Sequence, residues 1–295
     1  DESMPNLTSL TLPKSLTRLT GIGHLHALQD IPTRNTQVTS IDFEGPMPNL
    51  RFFFLPDTLT HLTGIHHLQA LSFLHLGNTQ VSALHIDAPM PNLIAFMALS
   101  TLAHVTGVEN MRALQCLPLD NTQVSTLHID APMPNLKDFR APSTLTRLTG
   151  MENLCAVNAL DLGKTQVSAQ DLSLPMPNLK TLVLPSTMTQ LPDMAFFPAL
   201  ETLSLINTSI TGVRINAVMP HLTCLILSKG ATHLEGLENL PSLSKLCVHS
   251  PSLTIKGHKE AWEISAFEES DPYLHAAPQL FTQNPSGISW VEEDA

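Results

Sequence analysis

The chain has little charge and few of the residues that announce chemistry. Only 14% of its 295 residues are charged, against 43% hydrophobic, a balance that fills an interior and does not describe a disordered polymer. The charge present has the wrong sign for a phosphate backbone. Fifteen Lys and Arg face 26 Asp and Glu, a formal net charge of −11, so nucleic acid is not an expected partner. No apolar run approaches the roughly eighteen residues of a membrane span, so insertion into a membrane is not expected either. Asp1-Glu2-Ser3-Met4 has neither the basic segment nor the apolar core of a secretory signal. Without an initiator methionine, the chain reads as a mature or excised fragment whose targeting signal lies outside it. Four cysteines, Cys116, Cys155, Cys224 and Cys247, are too few and too scattered for a disulfide framework or a CxxC metal site. P-loop, HExxH, GxSxG and dinucleotide-binding glycine motifs are all missing.

What the chain does have is repetition. NTQVSALHIDAPMPNL at 78–93 returns as NTQVSTLHIDAPMPNL at 121–136. Met-Pro-Asn-Leu begins at Met4, Met47, Met90, Met133 and Met176, and Met-Pro-His-Leu at Met219, always 43 residues apart. Asn35, Asn78 and Asn121 open NTQV on the same beat, followed by Lys164, Asn207 and a degenerate copy at Ser250. Gly21, Gly64, Gly107, Gly150 and Gly236 keep it too, with Asp193 in the missing place. A fixed period of this length marks a repeat architecture.

Each period splits into two halves of about 21 and 22 residues with one inner grammar. Leu179, Leu182 and Leu184 form L-x-x-L-x-L in one half, followed by Thr187 and Met188; Leu200, Leu203 and Leu205 repeat it in the other, followed by Thr208 and Ile210. The last two leucines of the pattern face one side of a short strand and the residues between them face the other. One such strand cannot bury its leucines alone, but a stack of parallel strands can.

L-x-x-L-x-L followed by a small polar residue and an aliphatic resembles the leucine-rich repeat family over residues 4–254, about twelve coils. The stretch from Leu59 to Ser82, with its L-T-G-I and N-x-Q-V elements, is similar to bacterial members: internalin surface proteins and the repeats of secreted effectors. It departs from internalins in carrying Thr where they carry Asn. The resemblance implies a leucine-rich repeat solenoid, a curved right-handed coil with a parallel β-sheet on its concave face. Short extended or 3₁₀ segments would form the convex face, with few α-helices. V-S-x-L-x-I-D-A-P reads as the extended segment and L-T-G-I-x-H-L as a turn or 3₁₀ piece. Thr36, Thr79, Thr122, Thr165 and Thr208, with Thr58, Thr101, Thr144 and Thr187 in alternate coils, read as a buried structural ladder. The second residue of MPNL stiffens the approach to each strand. Residues 255–295 break the repeat and read as a C-terminal cap or linker.

Specificity is then expected between the leucines. Read across coils, the free face runs Ser9 and Thr11, Asp30 and Arg34, Phe52 and Phe54, Phe73 and His75, Met97 and Leu99, Cys116 and Asp120. Phe52, Phe54 and Phe73, continuing into Met97 and Leu99, make an apolar stripe that the fold does not require, and aromatic residues and methionine are enriched at interfaces. Asp120, Asp138, Arg140 and Asp161 read as a charged cluster forming its polar rim, not as acid and base. Cys224 and Cys247 sit at different strand positions on adjacent coils, and no disulfide is expected between them. His24, His26, His66 and His67 reflect the G-I-x-H consensus; they are expected as solvent-exposed turn residues, and no metal site or cofactor is expected. The two sequons, Asn6-Leu-Thr8 and Asn207-Thr-Ser209, carry little weight in a Thr-rich chain. The resemblance implies a non-enzymatic, monomeric protein-binding scaffold: the secreted recognition part of a bacterial effector that grips a host protein in virulence. Its alternatives are the substrate-selecting part of a larger ubiquitin-ligase-like enzyme, or a cell-surface adhesin.

Overall fold

A computed structural model describes residue 4, residues 6–250 and 252–256, and the backbone strands at 263–266 and 289–291. The chain divides into two compact units, residues 1–157 and 158–295. Each is a stretch of parallel β-solenoid, and the described residues contain no α-helix. The expected cap or linker at 255–295 lies outside the described residues apart from residues 255–256 and the two strands named above.

In the first unit the L-x-x-L-x-L segments lie side by side and pair in parallel in separate groups. Phe73–His75 pairs in parallel with Ala95–Met97, and Cys116–Pro118 with Asp138–Arg140. Phe54 bridges Pro32 on one side and His75 on the other. The pattern works as the alternation requires: Leu71, Leu74 and Leu76 are fully buried while Phe73, between the first two, is exposed.

A second parallel ladder lies between these strands in sequence. It is made of Arg18–Leu19, Ser40–Asp42 and His61–Thr63, then Ala83–His85 with His104–Thr106, then Thr126–His128 with Arg147–Thr149. The V-S-x-L-x-I-D segments are thus extended, as read. L-T-G-I-x-H-L is more than the expected turn: His61–Thr63 is a strand, Gly64 turns left-handed at φ 70°, and Ile65–His67 is a 3₁₀ turn.

The second unit repeats the first ladder with Ala159–Asp161, Thr181–Val183, Thr202–Ser204, Cys224–Ile226, Lys245–Val248 and Glu263–Ala266 in parallel succession. Its second ladder comprises Gly212–Arg214, His233–Glu235, Thr254–Lys256 and Ser289–Val291. Two earlier segments of this unit form no strand, for legible reasons. Gln170 replaces the inward leucine of the repeat, and Ala169–Leu172 becomes a 3₁₀ turn closed by a Ser168–Asp171 capping box. Pro192 lacks the N–H its position would offer to a ladder. At the next residue, Asp193 stands where other copies have glycine and caps the turn through its carboxylate, which accepts from the Ala195 N–H at 3.0 Å.

The threonines serve two distinct purposes. Thr36, Thr122, Thr165 and Thr208 donate to the carbonyl three residues back at 2.7–2.8 Å, closing their own turn. Those of the alternate coils are not buried as expected, since Thr58, Thr101 and Thr144 are half-buried and Thr187 is exposed. They reach the coil before: Thr58 donates to Val38 O at 2.8 Å, Thr144 to Val124 O at 2.8 Å and Thr187 to Val167 O at 2.6 Å. The asparagine of MPNL is a further brace, with Asn49, Asn92 and Asn135 donating to the carbonyls of His26, Gln69 and Arg112 at 2.8–2.9 Å. The opening methionine of the same motif is buried at Met47, Met90 and Met133.

Two substitutions test these links. Thr122→Val leaves the Leu119 carbonyl with the Thr122 N–H alone, at 2.9 Å, and takes the hydroxyl acceptor from the buried Val124 N–H. It should lower stability by about 1–3 kcal/mol, read as a drop in denaturant midpoint at unchanged m-value. Gly107, at φ 74°, leaves no room for a side chain: a Cβ there would lie 2.1 Å from the Ile86 carbonyl oxygen of the coil before. Gly107→Ala should therefore cost more than about 2 kcal/mol, since an unfavourable dihedral adds to a backbone clash.

Candidate protein-binding face

On the side of the first unit's main ladder away from the leucines, strand register sorts the free side chains into two rows. One includes Phe73 beside Ala95 and Cys116 beside Asp138; the other includes Pro32, Phe54, His75 and Met97 in sequence, and Pro118 beside Arg140. Three of the expected residues fall off these rows. Arg34, Leu99 and Asp120 each lie two residues beyond the row position, which is filled by Pro32, Met97 and Pro118. The error is one of phase. A strand of three residues offers two outward places, and the sequence reading placed some of them two residues too late.

The apolar stripe is on the surface. Phe52 is 55% exposed, Phe54 54%, Phe73 37% and Met97 46%. Phe53, between the first two, turns inward and packs edge-on against Phe43 at 5.3 Å between ring centroids. Phe73 and His75 lie nearly parallel, 5.9 Å apart at 10°, so His75 extends the aromatic surface. Ile94, the first variable place of its L-x-x-L-x-L frame and just before its strand, is also exposed; the pattern alone does not mark that place as outward.

Beyond the stripe, Asp138 collects its neighbours. Its Oδ2 accepts from Arg140 Nε and Nη2, both at 3.0 Å, and from the Cys116 thiol at 3.3 Å. Burial, then the hydrogen bond to Asp138 and its charge, push the Cys116 thiol up to about 11. The hydrogen bond and charge of Asp138 likewise raise Arg140 above its ordinary value. The cluster is a self-neutralised rim whose sulfur is held as the thiol. Asp120 is exposed and, among the described residues, accepts only from its neighbour, the Asn121 side-chain amide, at 3.2 Å. Asp161 belongs to the second unit, where its Oδ1 accepts from the Gly163 N–H at 2.9 Å and braces a turn. In that unit Cys224 is in register with Lys245, and Cys247 with Ile226. Their thiols hydrogen-bond across the diagonal, which together with burial raises the Cys224 pKa, and none of the four cysteines is disulfide-bonded. His24 and His26 are exposed, but His66 and His67 are half-buried on their turn, 4.2 Å apart between ring centroids, a departure from the exposure expected of them. Among the described residues, no three metal-capable side chains converge.

Both ladders, the leucine spacing and the buried polar turn residues fix the architecture. The fold is a leucine-rich repeat. Solved leucine-rich repeat structures resemble it. One from Leptospira interrogans is 17% identical, with a TM-score of 0.39 over 86% of this chain and 80% of that one. The leucine-rich repeat domain of APL1 is 14% identical, with a TM-score of 0.36 over 92% and 80%. The functional domain of InlJ from Listeria monocytogenes, which includes a cysteine ladder, is 14% identical, with a TM-score of 0.21 over 83% and 73%. No protein-family model and no curated protein matches the sequence.

The rim chemistry predicts slow alkylation. Iodoacetamide should modify Cys116 slowly at neutral pH, with a rate that rises with pH and levels off only near pH 11, because the thiolate is the reacting form. Asp138→Asn removes the negative acceptor and should speed labelling of the Cys116 peptide at any given pH, as followed by mass spectrometry.

Proposed function

We propose that the chain is a non-enzymatic recognition scaffold, the partner-binding part of a bacterial secreted effector, which holds a host protein against the outward side of the first unit's main ladder. The observation that carries this reading is the exposure of Phe52, Phe54, Phe73 and Met97 on neighbouring coils. Each buried leucine beside them already satisfies the fold, so these side chains add apolar surface that water disfavours and a partner can cover. Hot spots at interfaces are built from such anchors, with charged residues at the margin. Asp138 and Arg140 supply that margin and Asp120 extends it.

The test is affinity capture from host-cell lysate with the native chain beside a Phe52→Ala, Phe54→Ala, Phe73→Ala variant. Species held by the native chain should be lost by the variant, while each substitution costs less than about 1 kcal/mol of stability, as expected for partly exposed positions. An unfolded variant would show that these rings belong to the core. A folded variant capturing the same proteins would place the interface elsewhere.

A further inference from the structure

The second ladder of the first unit has an order of its own. Strand register aligns Arg18, Ser40 and His61, then Ala83 with His104, then Thr126 with Arg147, as the first residue of each successive strand. Basic and small residues alternate along this row without exception. The two strand types generate the alternation: L-T/A-x-L/V-T-G always places a basic residue there in this unit, and V-T/S-x-L/I always a small one. Basic side chains therefore recur every second coil, about 10 Å apart at the spacing of parallel strands.

The basic groups are available. Arg18, His104 and Arg147 are exposed, and their side chains make no hydrogen bond or ion pair among the described residues. His61 is bonded through Nδ1 to Thr60 at 2.8 Å and keeps its other nitrogen. Between His104 and Arg147 the short Thr126 leaves a recess, part of a groove of about 540 Å³ whose lining contains no carboxylate-bearing residue.

The adjacent row is occupied differently. Asp42 accepts from Thr63 Oγ1 at 2.6 Å. His85 is held between Thr106 and Asp87, and His128 between Thr149 at 2.5 Å and Asp130 at 2.6 Å. These carboxylates are tied to the far row, and the threonines add hydroxyls along the strip. In the second unit the same row of first residues runs Gly212, His233, Thr254 and Ser289 and carries one basic residue. Two residues further along those strands lie Arg214, Glu235 and Lys256, with Lys256 2.9 Å from Glu235.

We propose that this row is a binding strip for a linear acidic polysaccharide carrying one carboxylate or sulfate per disaccharide. Such a chain presents its charges at the interval of two coils and its hydroxyls in between, where Ser40, Thr126 and the threonines of the second row lie. A nucleic acid fits poorly. Each strand of a duplex carries one phosphate per about 3.4 Å of helix axis, denser than the row, and the row has no aromatic platform for a base. The strip is separate from the phenylalanine stripe, so the two readings stand or fall independently.

The test uses isothermal titration with a hyaluronan decasaccharide at low ionic strength and about pH 6, where histidines in general carry much of their charge. Oligodeoxythymidine and polyglutamate of matched length serve as comparators. The native chain should bind the glycan in preference to both. R18Q/R147Q should weaken binding about tenfold or more. A83E/T126E, which puts carboxylates into the recesses at exposed positions, should abolish it, with circular dichroism unchanged. The triple phenylalanine variant should bind as the native chain does. Absence of glycan binding, equal binding of either comparator, or retention of affinity in both row variants would overturn the proposal.

Discussion

A coil of about 21 residues closes on itself so tightly that its backbone cannot satisfy its own polar groups, and the rest of the structure follows from how those groups are paired. Strands use up the donors and acceptors on two sides of each coil. At the corners, side chains take over: a threonine closes its own turn, the next threonine reaches back one coil, and the asparagine of MPNL reaches back at the far corner. A buried carbonyl without a partner costs about as much as a lost hydrogen bond. Leucines can therefore stack only as far as these small polar residues hold the beat.

Much of this was legible in the sequence. The 43-residue period, the division into half-coils, the inward leucines and the buried threonines all follow from spacing. The asparagine brace was not, because a polar residue before a leucine looks the same whether it bonds to water or to a carbonyl 23 residues back. The second ladder was half legible: the alternation in V-S-x-L-x-I-D announced it, whereas L-T-G-I hid a strand behind its glycine. Where the unit loses the pattern, at Gln170 and Pro192, the reasons are again local and readable.

The candidate face was legible in kind but not in phase. Phe52, Phe54, Phe73, His75 and Met97 occupy the outward rows, but Leu99 and Asp120 lie two residues beyond them, because register is decided by pairing between coils and not by the pattern inside one. Likewise Asp138 and Arg140 meet because they are two residues apart on one strand, whereas Asp161 turned out to brace a turn of its own unit. The basic row of the second ladder escaped notice altogether. Its members are ordinary surface residues in each copy, and only the alignment of the copies in space makes them a series.

The Gly107 and Asn135 contacts have a consequence beyond the single coil. Each reaches only one coil away, to Ile86 and to Arg112, so a period needs only the coil just before it to supply its outside partners. Unequal recombination between the near-identical stretches at 78–93 and 121–136 would insert or delete one whole period while leaving no orphaned group at the seam. Such a gene can lengthen or shorten its product in quantised steps, and every step moves both outer faces together.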